Sequence, residues 1–126
     1  MQLTEHRPEG QAFVHSLHDD RIRIVDRDWR RSLLLSPGDG ARPWAVESLD
    51  DVDAEALAPV FEARPDVVLL ATGRSLRFPP PDLQVAFLER AIGLEVMTLD
   101  AAARTFNVLA SEGRDVIAAM IWESGG

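Results

Sequence analysis

Val67-Val68-Leu69-Leu70-Ala71-Thr72-Gly73 is the stretch that decides the fold. Five apolar residues run without alternation and stop at Thr-Gly. A strand that faces water on one side alternates polar with apolar residues, whereas a strand covered on both faces reads as a continuous apolar run. The stretch therefore predicts a strand inside a sheet that is packed on both sides. A loop, Arg74 to Pro80, follows. Pro81-Asp82 then opens a helix, because proline suits the first turn and an acid suits the positive end of the helix dipole. The spacing puts Val85, Leu88, Ala91 and Ile92 on its inner face and Gly93 at its C-terminal cap. Leu94-Glu95-Val96-Met97 reads as a strand. Thr98 or Asp100 caps a further helix that carries Ala102, Phe106 and Leu109 inward and ends at Gly113. Asp115 to Trp122 is the last strand, built on Val116, Ile117, Met120 and Ile121. The order β-α-β-α-β requires crossovers, which implies a mainly parallel sheet with helices packed on it.

Upstream, the period shortens to two. Phe13, His15 and Leu17 point one way, and Ile22, Ile24 and Trp29 repeat the alternation. Asp19-Asp20 marks one turn and Asp26-Arg27-Asp28 a second. Ser32 to Ser36, centred on Leu33-Leu34-Leu35, is a more deeply buried strand closed by Pro37-Gly38-Asp39-Gly40. Gln11 to Ser36 thus predicts an antiparallel meander of about three strands. Pro43-Trp44-Ala45-Val46 is a further short strand. An acidic block follows, Glu47, Asp50, Asp51, Asp53 and Glu55, with Val52, Ala56, Leu57, Val60 and Phe61 at helical spacing across its end. Asp50 or Asp51 makes a good N-cap, so the block reads as helix-start chemistry on a solvated face; an acidic docking patch is the alternative. The expected fold is α/β: a single three-layer domain over residues 1–126, with a mixed central β-sheet, an N-terminal antiparallel meander and a β-α-β-α-β second half. The tail, 123–126, is expected to be loose.

Composition narrows the chemistry. Of 126 residues, 46% are apolar and 27% charged, and 13 basic against 21 acidic residues leave a net charge of −8. That argues against a nucleic-acid or anionic-membrane partner. Cysteine is absent, which removes disulfides, thiolate metal sites and thiol nucleophiles. Every basic side chain other than histidine is arginine, which removes Schiff-base and phosphate-loop lysines. No cofactor is implied. No apolar run reaches the length of a membrane span, the polar start Met1 to Gly10 does not read as a secretory signal, and the cytoplasm is the default compartment.

The best candidate for a ligand site is the segment leaving the buried strand, because ligands of open α/β sheets sit beyond the carboxyl ends of parallel strands. Thr72, Gly73, Arg74, Ser75 and Arg77 offer hydroxyls, a permissive backbone and two guanidinium groups that suit an anionic small molecule. The alternative is that Gly73 permits a turn and the arginines are solvated or paired with the acidic block. Arg104 and Asn107, three apart on a helix, share a face and are a second polar pair; they serve equally well to secure the helix end. Trp44, if exposed beside Pro43, and Phe78 are candidate interaction anchors. His15 and His18 would face opposite sides of one strand, and His6 lies in the polar start, so no metal site is expected. No Gly-x-Ser-x-Gly elbow occurs, and no catalytic residue is assigned.

Leu70-Ala71-Thr72-Gly73, Phe78-Pro79-Pro80, Gly93 to Met97, Ala102-Ala103-Arg104-Thr105-Phe106-Asn107-Val108-Leu109 and Ser111-Glu112-Gly113-Arg114 together resemble a family of small proteins called MTH nine-three-eight-like, a domain of unknown function. The match runs from about Val67 to Ile121, with looser agreement at Ile22-x-Ile24 and Trp44. The family's usual Gly-Thr-Gly stands here as Ala71-Thr72-Gly73, so one glycine is missing and a tight phosphate cradle loses support. The resemblance implies a three-layer α/β fold with a mixed sheet. Its eukaryotic relatives, a mitochondrial complex I assembly factor and an adipogenesis-associated protein, imply partner binding rather than catalysis. Two readings follow. The first is a non-catalytic protein-interaction or assembly module with an unidentified protein partner, which predicts a sizeable exposed apolar patch. The second is a small-molecule or nucleotide-binding protein, or an enzyme of unknown reaction, which predicts a pocket where residues 72–77, Arg104 and Asn107 converge.

Overall fold

The computed structural model describes residues 10–123. The polar start with His6 and the tail beyond Glu123 lie outside the described residues. Strands β1 (Val14–Leu17), β2 (Ile22–Ile24) and β3 (Arg27–Trp29) form an antiparallel three-stranded sheet. Strands β4 (Leu33–Ser36), β5 (Gly40–Pro43), β6 (Val67–Ala71), β7 (Gly93–Met97) and β8 (Val116–Met120) form a second sheet in the order β5-β4-β8-β6-β7. β6 runs parallel to both neighbours, and β4 runs antiparallel to β5 and β8, so this central sheet is mixed. The helices are α1 (Ala58–Ala63), α2 (Pro81–Glu89) and α3 (Leu99–Ser111), with a single 3-10 turn at Leu49–Asp51.

All five residues of β6 and all five of β8 are buried. Side chains alternate across a strand, so each strand feeds two cores. Leu33, Leu35, Val67, Leu69, Ala71, Val116, Ala118 and Met120 face α3 and the meander. Leu34, Val68, Leu70, Ile117, Ala119 and Ile121 face α1, α2 and the 44–57 segment. This is the three-layer α/β architecture that the unbroken run at 67–71 predicts. α3 presents Ala102, Phe106 and Ala110 at i, i+4 and i+8, and the alanines let the helix lie close to the sheet.

Several expectations need correction. The Leu33–Ser36 strand leaves the meander and joins the central sheet, because three leucines in succession can be buried only where both faces are covered. In β1 the buried phase is Ala12, Val14 and Ser16, not Phe13 and His15, and the register shifts between Val14 and Ser16. The second turn is shorter than expected. Arg27 and Asp28 are paired in β3, and Val25, at φ 55°, carries the reversal. The strand expected at Pro43 to Val46 lies upstream, at Gly40–Pro43. The helix expected from Asp50 or Asp51 begins only at Ala58, with Leu57 at its N-cap position; the acidic block instead holds the 3-10 turn, capped by Ser48, where Asp51 accepts the backbone N–H groups of Glu47 and Ser48. α2 shows the largest departure. Its buried pair is Leu83 and Phe87, whereas Val85 and Leu88 are 49% and 77% exposed. Gly93 belongs to β7, and Ala91 takes the left-handed conformation after the helix.

Phe106 is fully buried between α3 and the sheet. Phe106→Ala should cost about 3–5 kcal/mol through lost burial and the cavity left behind. Val108→Ala on the outer face of the same helix should stay within about 0.5 kcal/mol. Urea denaturation of the two variants measures the difference.

Candidate functional site

β6 ends between two parallel neighbours, so Thr72 emerges at the carboxyl end of the sheet. The turn it starts is closed on itself. The Thr72 hydroxyl donates to the Ser75 carbonyl at 2.9 Å and accepts the Arg77 N–H at 3.0 Å. The Thr72 N–H donates to the Met97 carbonyl at 2.9 Å. Gly73 has φ +105°, a conformation that side-chain-bearing residues rarely adopt, and a Cβ there would lie 2.8 Å from Glu123 Oε1. The Gly73 carbonyl accepts the Leu99 N–H at 2.9 Å, which ties the turn to the start of α3. Close approach at this glycine is by Glu123 of the same chain.

The two arginines diverge. Arg74 donates to the His18 carbonyl on the meander side, and its guanidinium lies 5.0 Å from the centre of the Trp122 ring. Arg77 reaches the other layer, where its guanidinium meets Asp50 at 3.2 Å. Both ends of that pair are exposed, so it is worth little to stability. Ser75 is exposed, and its carbonyl is committed to Thr72. Arg104 pairs with Asp100 one turn earlier on α3, at 3.5 Å. Asp100 also accepts the Thr98 hydroxyl at 2.7 Å. That hydrogen bond above all, helped by backbone N–H groups and Arg104, holds its carboxyl below the ordinary aspartate value.

Asn107 is 4% exposed and works as a surrogate strand. Its Oδ1 accepts the Val14 N–H and its Nδ2 donates to the Val14 carbonyl, both at 2.8 Å. The amide thereby fastens β1 to α3. Thr72, Gly73, Ser75 and Arg77 thus form one closed turn, Arg74 leans toward the meander, Arg104 engages its own helix, and Asn107 faces β1. Trp44 is buried, with its indole N–H donating to the Ala56 carbonyl at 2.8 Å, so the exposed anchor expected there does not exist. His15 and His18, expected on opposite sides, both reach the Ser16 hydroxyl, at 3.4 and 2.9 Å. The irregular register of β1 and the end of the strand at Leu17 bring them together. Among the described residues no three potential metal ligands cluster.

Two features were not legible in the sequence. A cavity of about 650 Å³ is lined by Arg30, Arg31, Glu47, Asp51, Trp44 and Trp122. Two basic and two acidic side chains leave it without a charge preference. The larger feature lies along α2 and β7. Phe78 is 73% exposed, beside Val85 and Leu88 on the outer face of α2. With Ile92, Leu94 and Val96 they line an open groove of about 710 Å³. The available signal was the Leu83–Phe87 pair, which competes with Val85 and Leu88 for the inner face of α2. Once that pair is inside, the other two must be outside.

Comparisons with known proteins give the family and support the fold. A family model described as a protein of unknown function, DUF498/DUF598, matches residues 14–121. An uncharacterised protein of Rhodobacter capsulatus is 37% identical over 101 residues, 79% of this chain and 76% of that protein. The bovine NADH dehydrogenase [ubiquinone] 1 alpha subcomplex assembly factor 3 is 34% identical over 85 residues, 66% of this chain but 46% of its own length. The chain therefore spans about half the length of the assembly factors it matches. The solution structure of a Xanthomonas campestris protein superposes with a TM-score of 0.83 at 36% identity, covering 100% of this chain and 96% of that one. A Bordetella pertussis protein described as an MTH nine-three-eight-like domain shares the fold, with a TM-score of 0.80 at 24% identity over 98% of this chain and 93% of that one. A Bartonella henselae structure described as an outer membrane protein gives a TM-score of 0.79 at 30% identity, over 94% of this chain and 100% of that one. In the present chain no described helix is long and apolar enough to cross a membrane.

Two substitutions test the structural account of this region. Asn107→Ala leaves the Val14 N–H and carbonyl buried without partners, which should cost about 2–6 kcal/mol, since each such orphan costs about 1–3. Exchange of the Val14 amide, followed by NMR, should accelerate accordingly. Gly73→Ala should lose about 1–3 kcal/mol to its left-handed backbone alone, and pairing it with Glu123→Ala should restore only the part due to the close approach.

Proposed function

The chain belongs to the DUF498/DUF598 family, and we propose that it works as a non-catalytic protein-interaction or assembly module. The observation that carries this reading is the exposed apolar surface of Phe78, Val85 and Leu88 beside the groove on β7. Scattered apolar side chains on a surface are ordinary, but a contiguous set rimmed by polar residues marks an interaction site. Aromatic and aliphatic anchors of this kind lose water on docking, which is where most binding energy arises.

Two further observations support it. In the polar turn at 72–77 the Thr72 hydroxyl, the Arg77 N–H and both guanidinium groups bond the chain itself. The related proteins are named as assembly factors of the NADH dehydrogenase 1 alpha subcomplex, and the stretch shared with the bovine one covers 66% of this chain. The partner is taken to be protein rather than nucleic acid, given the net charge of −8. Cytoplasmic residence is part of the same proposal, and fractionation of the cells that make the protein decides it.

A photo-cross-linking residue placed at Leu88, in those cells, should yield discrete protein adducts, and the same residue at exposed Glu112 should not. Leu88→Asp combined with Phe78→Asp should remove partner binding while costing only about 1 kcal/mol of stability, because both side chains are mostly exposed and the cost is that of an acid in the last turn of α2. A Leu88 probe that traps nothing beyond the Glu112 background would sink the reading.

A further inference from the structure

We propose that β7 is a receiving edge, to which a partner protein adds an extended segment with alternating apolar and basic side chains. This rests on the interaction reading and names the form of the partner.

β7 closes one side of the central sheet, and no described strand pairs with its outer side. β6 and β8 are fully buried along their lengths, while Gly93 and Glu95 of β7 are exposed. In a parallel ladder one residue in two turns its N–H and carbonyl toward a given neighbour. The Gly93 N–H bonds the Asp66 carbonyl and the Met97 carbonyl accepts the Thr72 N–H, so Gly93, Glu95 and Met97 address β6. The main-chain groups of Leu94 and Val96 therefore point outward. An added strand would find donors and acceptors there, as in recognition by strand addition.

The side chains define what the added strand must carry. Leu94 and Val96 lie on the α2 face and line the groove with Phe78, Val85 and Leu88. Every second residue of the incoming strand meets this apolar wall. Glu95 stands opposite Leu69, whose side chain is in the α3-side core, so Glu95 lies on the other face. It is exposed and has no ion pair among the described residues; the same holds for Asp82 and Glu89 on the exposed side of α2. A cation placed across from Glu95 would be a favourable cross-strand pair.

Two contrasts single out this edge and this occupant. The other edge, β5, ends in Arg42 and Pro43, and proline lacks the N–H that pairing needs. β7 carries no proline and one charge. A second copy of this chain fits poorly, because a two-fold pairing centred on Glu95 sets carboxylate against carboxylate in a protein already at −8.

The test is an NMR titration of the full chain with a blocked peptide alternating valine and lysine, about seven residues long so that it spans the five of β7. Saturable shifts at Leu94 and Val96 are expected, with amide exchange there slowed about tenfold or more at saturation. Methylating the peptide nitrogens should abolish this, and Glu95→Lys should move the preference to a valine–glutamate peptide. Shifts at Phe78 and Leu88 that survive methylation overturn strand addition while leaving side-chain docking, and hence the interaction reading, in place. No shift at millimolar peptide also overturns strand addition, and the Leu88 cross-link then decides the broader reading separately. Protection of Leu94 and Val96 that grows with protein concentration alone assigns the edge to a second copy and overturns the partner proposed.

Discussion

Burial of β6 and β8 on both faces is the constraint from which the rest follows. Neither strand carries a polar side chain, and all ten residues are buried, so the sheet needs a full layer on each side. One layer is α3 with the meander, and the other is α1, α2 and the 44–57 segment. Burying each valine or leucine contributes about 1.5–3 kcal/mol, enough to hold a short meander that would be marginal alone. The meander strands are three or four residues each and survive by packing, with Asn107 supplying a backbone-like pair of hydrogen bonds from α3 to Val14.

The same constraint explains the polar turn. Where β6 leaves the core, its backbone must find partners at once, because an orphaned buried group is costly. The Thr72 hydroxyl serves two such groups and Gly73 bends the chain beneath Glu123. Arg74 and Arg77 spread to opposite layers, Arg74 over the Trp122 ring and Arg77 to the exposed Asp50. A loop in this position of an α/β sheet is where ligands are usually sought; in this chain Thr72, Arg74 and Arg77 bond groups of the chain itself. Exposed apolar side chains lie elsewhere, at Phe78 and at Val85 and Leu88 on α2.

The central architecture was legible because a two-sided strand has a pattern of its own. The run at 67–71, the crossovers and the α3 stripe through Ala102 and Phe106 all hold. The meander was legible as alternation but not in phase, since Val14 and Phe13 are both apolar and tertiary packing into the α3-side core selects Val14 as the inward one. α2 failed for a similar reason. Leu83, Val85, Phe87 and Leu88 offer two apolar stripes, and the core beneath the helix, with Phe61 against Phe87, takes Leu83 and Phe87. The roles of Thr72, Arg74, Arg77 and Asn107 depend on partners far away in the chain, Asn107 on one 93 residues distant, which spacing alone does not reveal. The family resemblance is upheld by the match over residues 14–121.

The account separates a closed polar turn from an open apolar edge, and amide hydrogen exchange across the free protein tests that separation most directly. The Thr72 and Arg77 amides, bonded to Met97 and to the Thr72 hydroxyl, should exchange slowly, and those of Leu94 and Val96 should exchange at rates near those of solvent-exposed backbone. Fast exchange through 72–77 together with protection at Leu94 and Val96 would contradict it, by making the turn the open site and the edge the closed one.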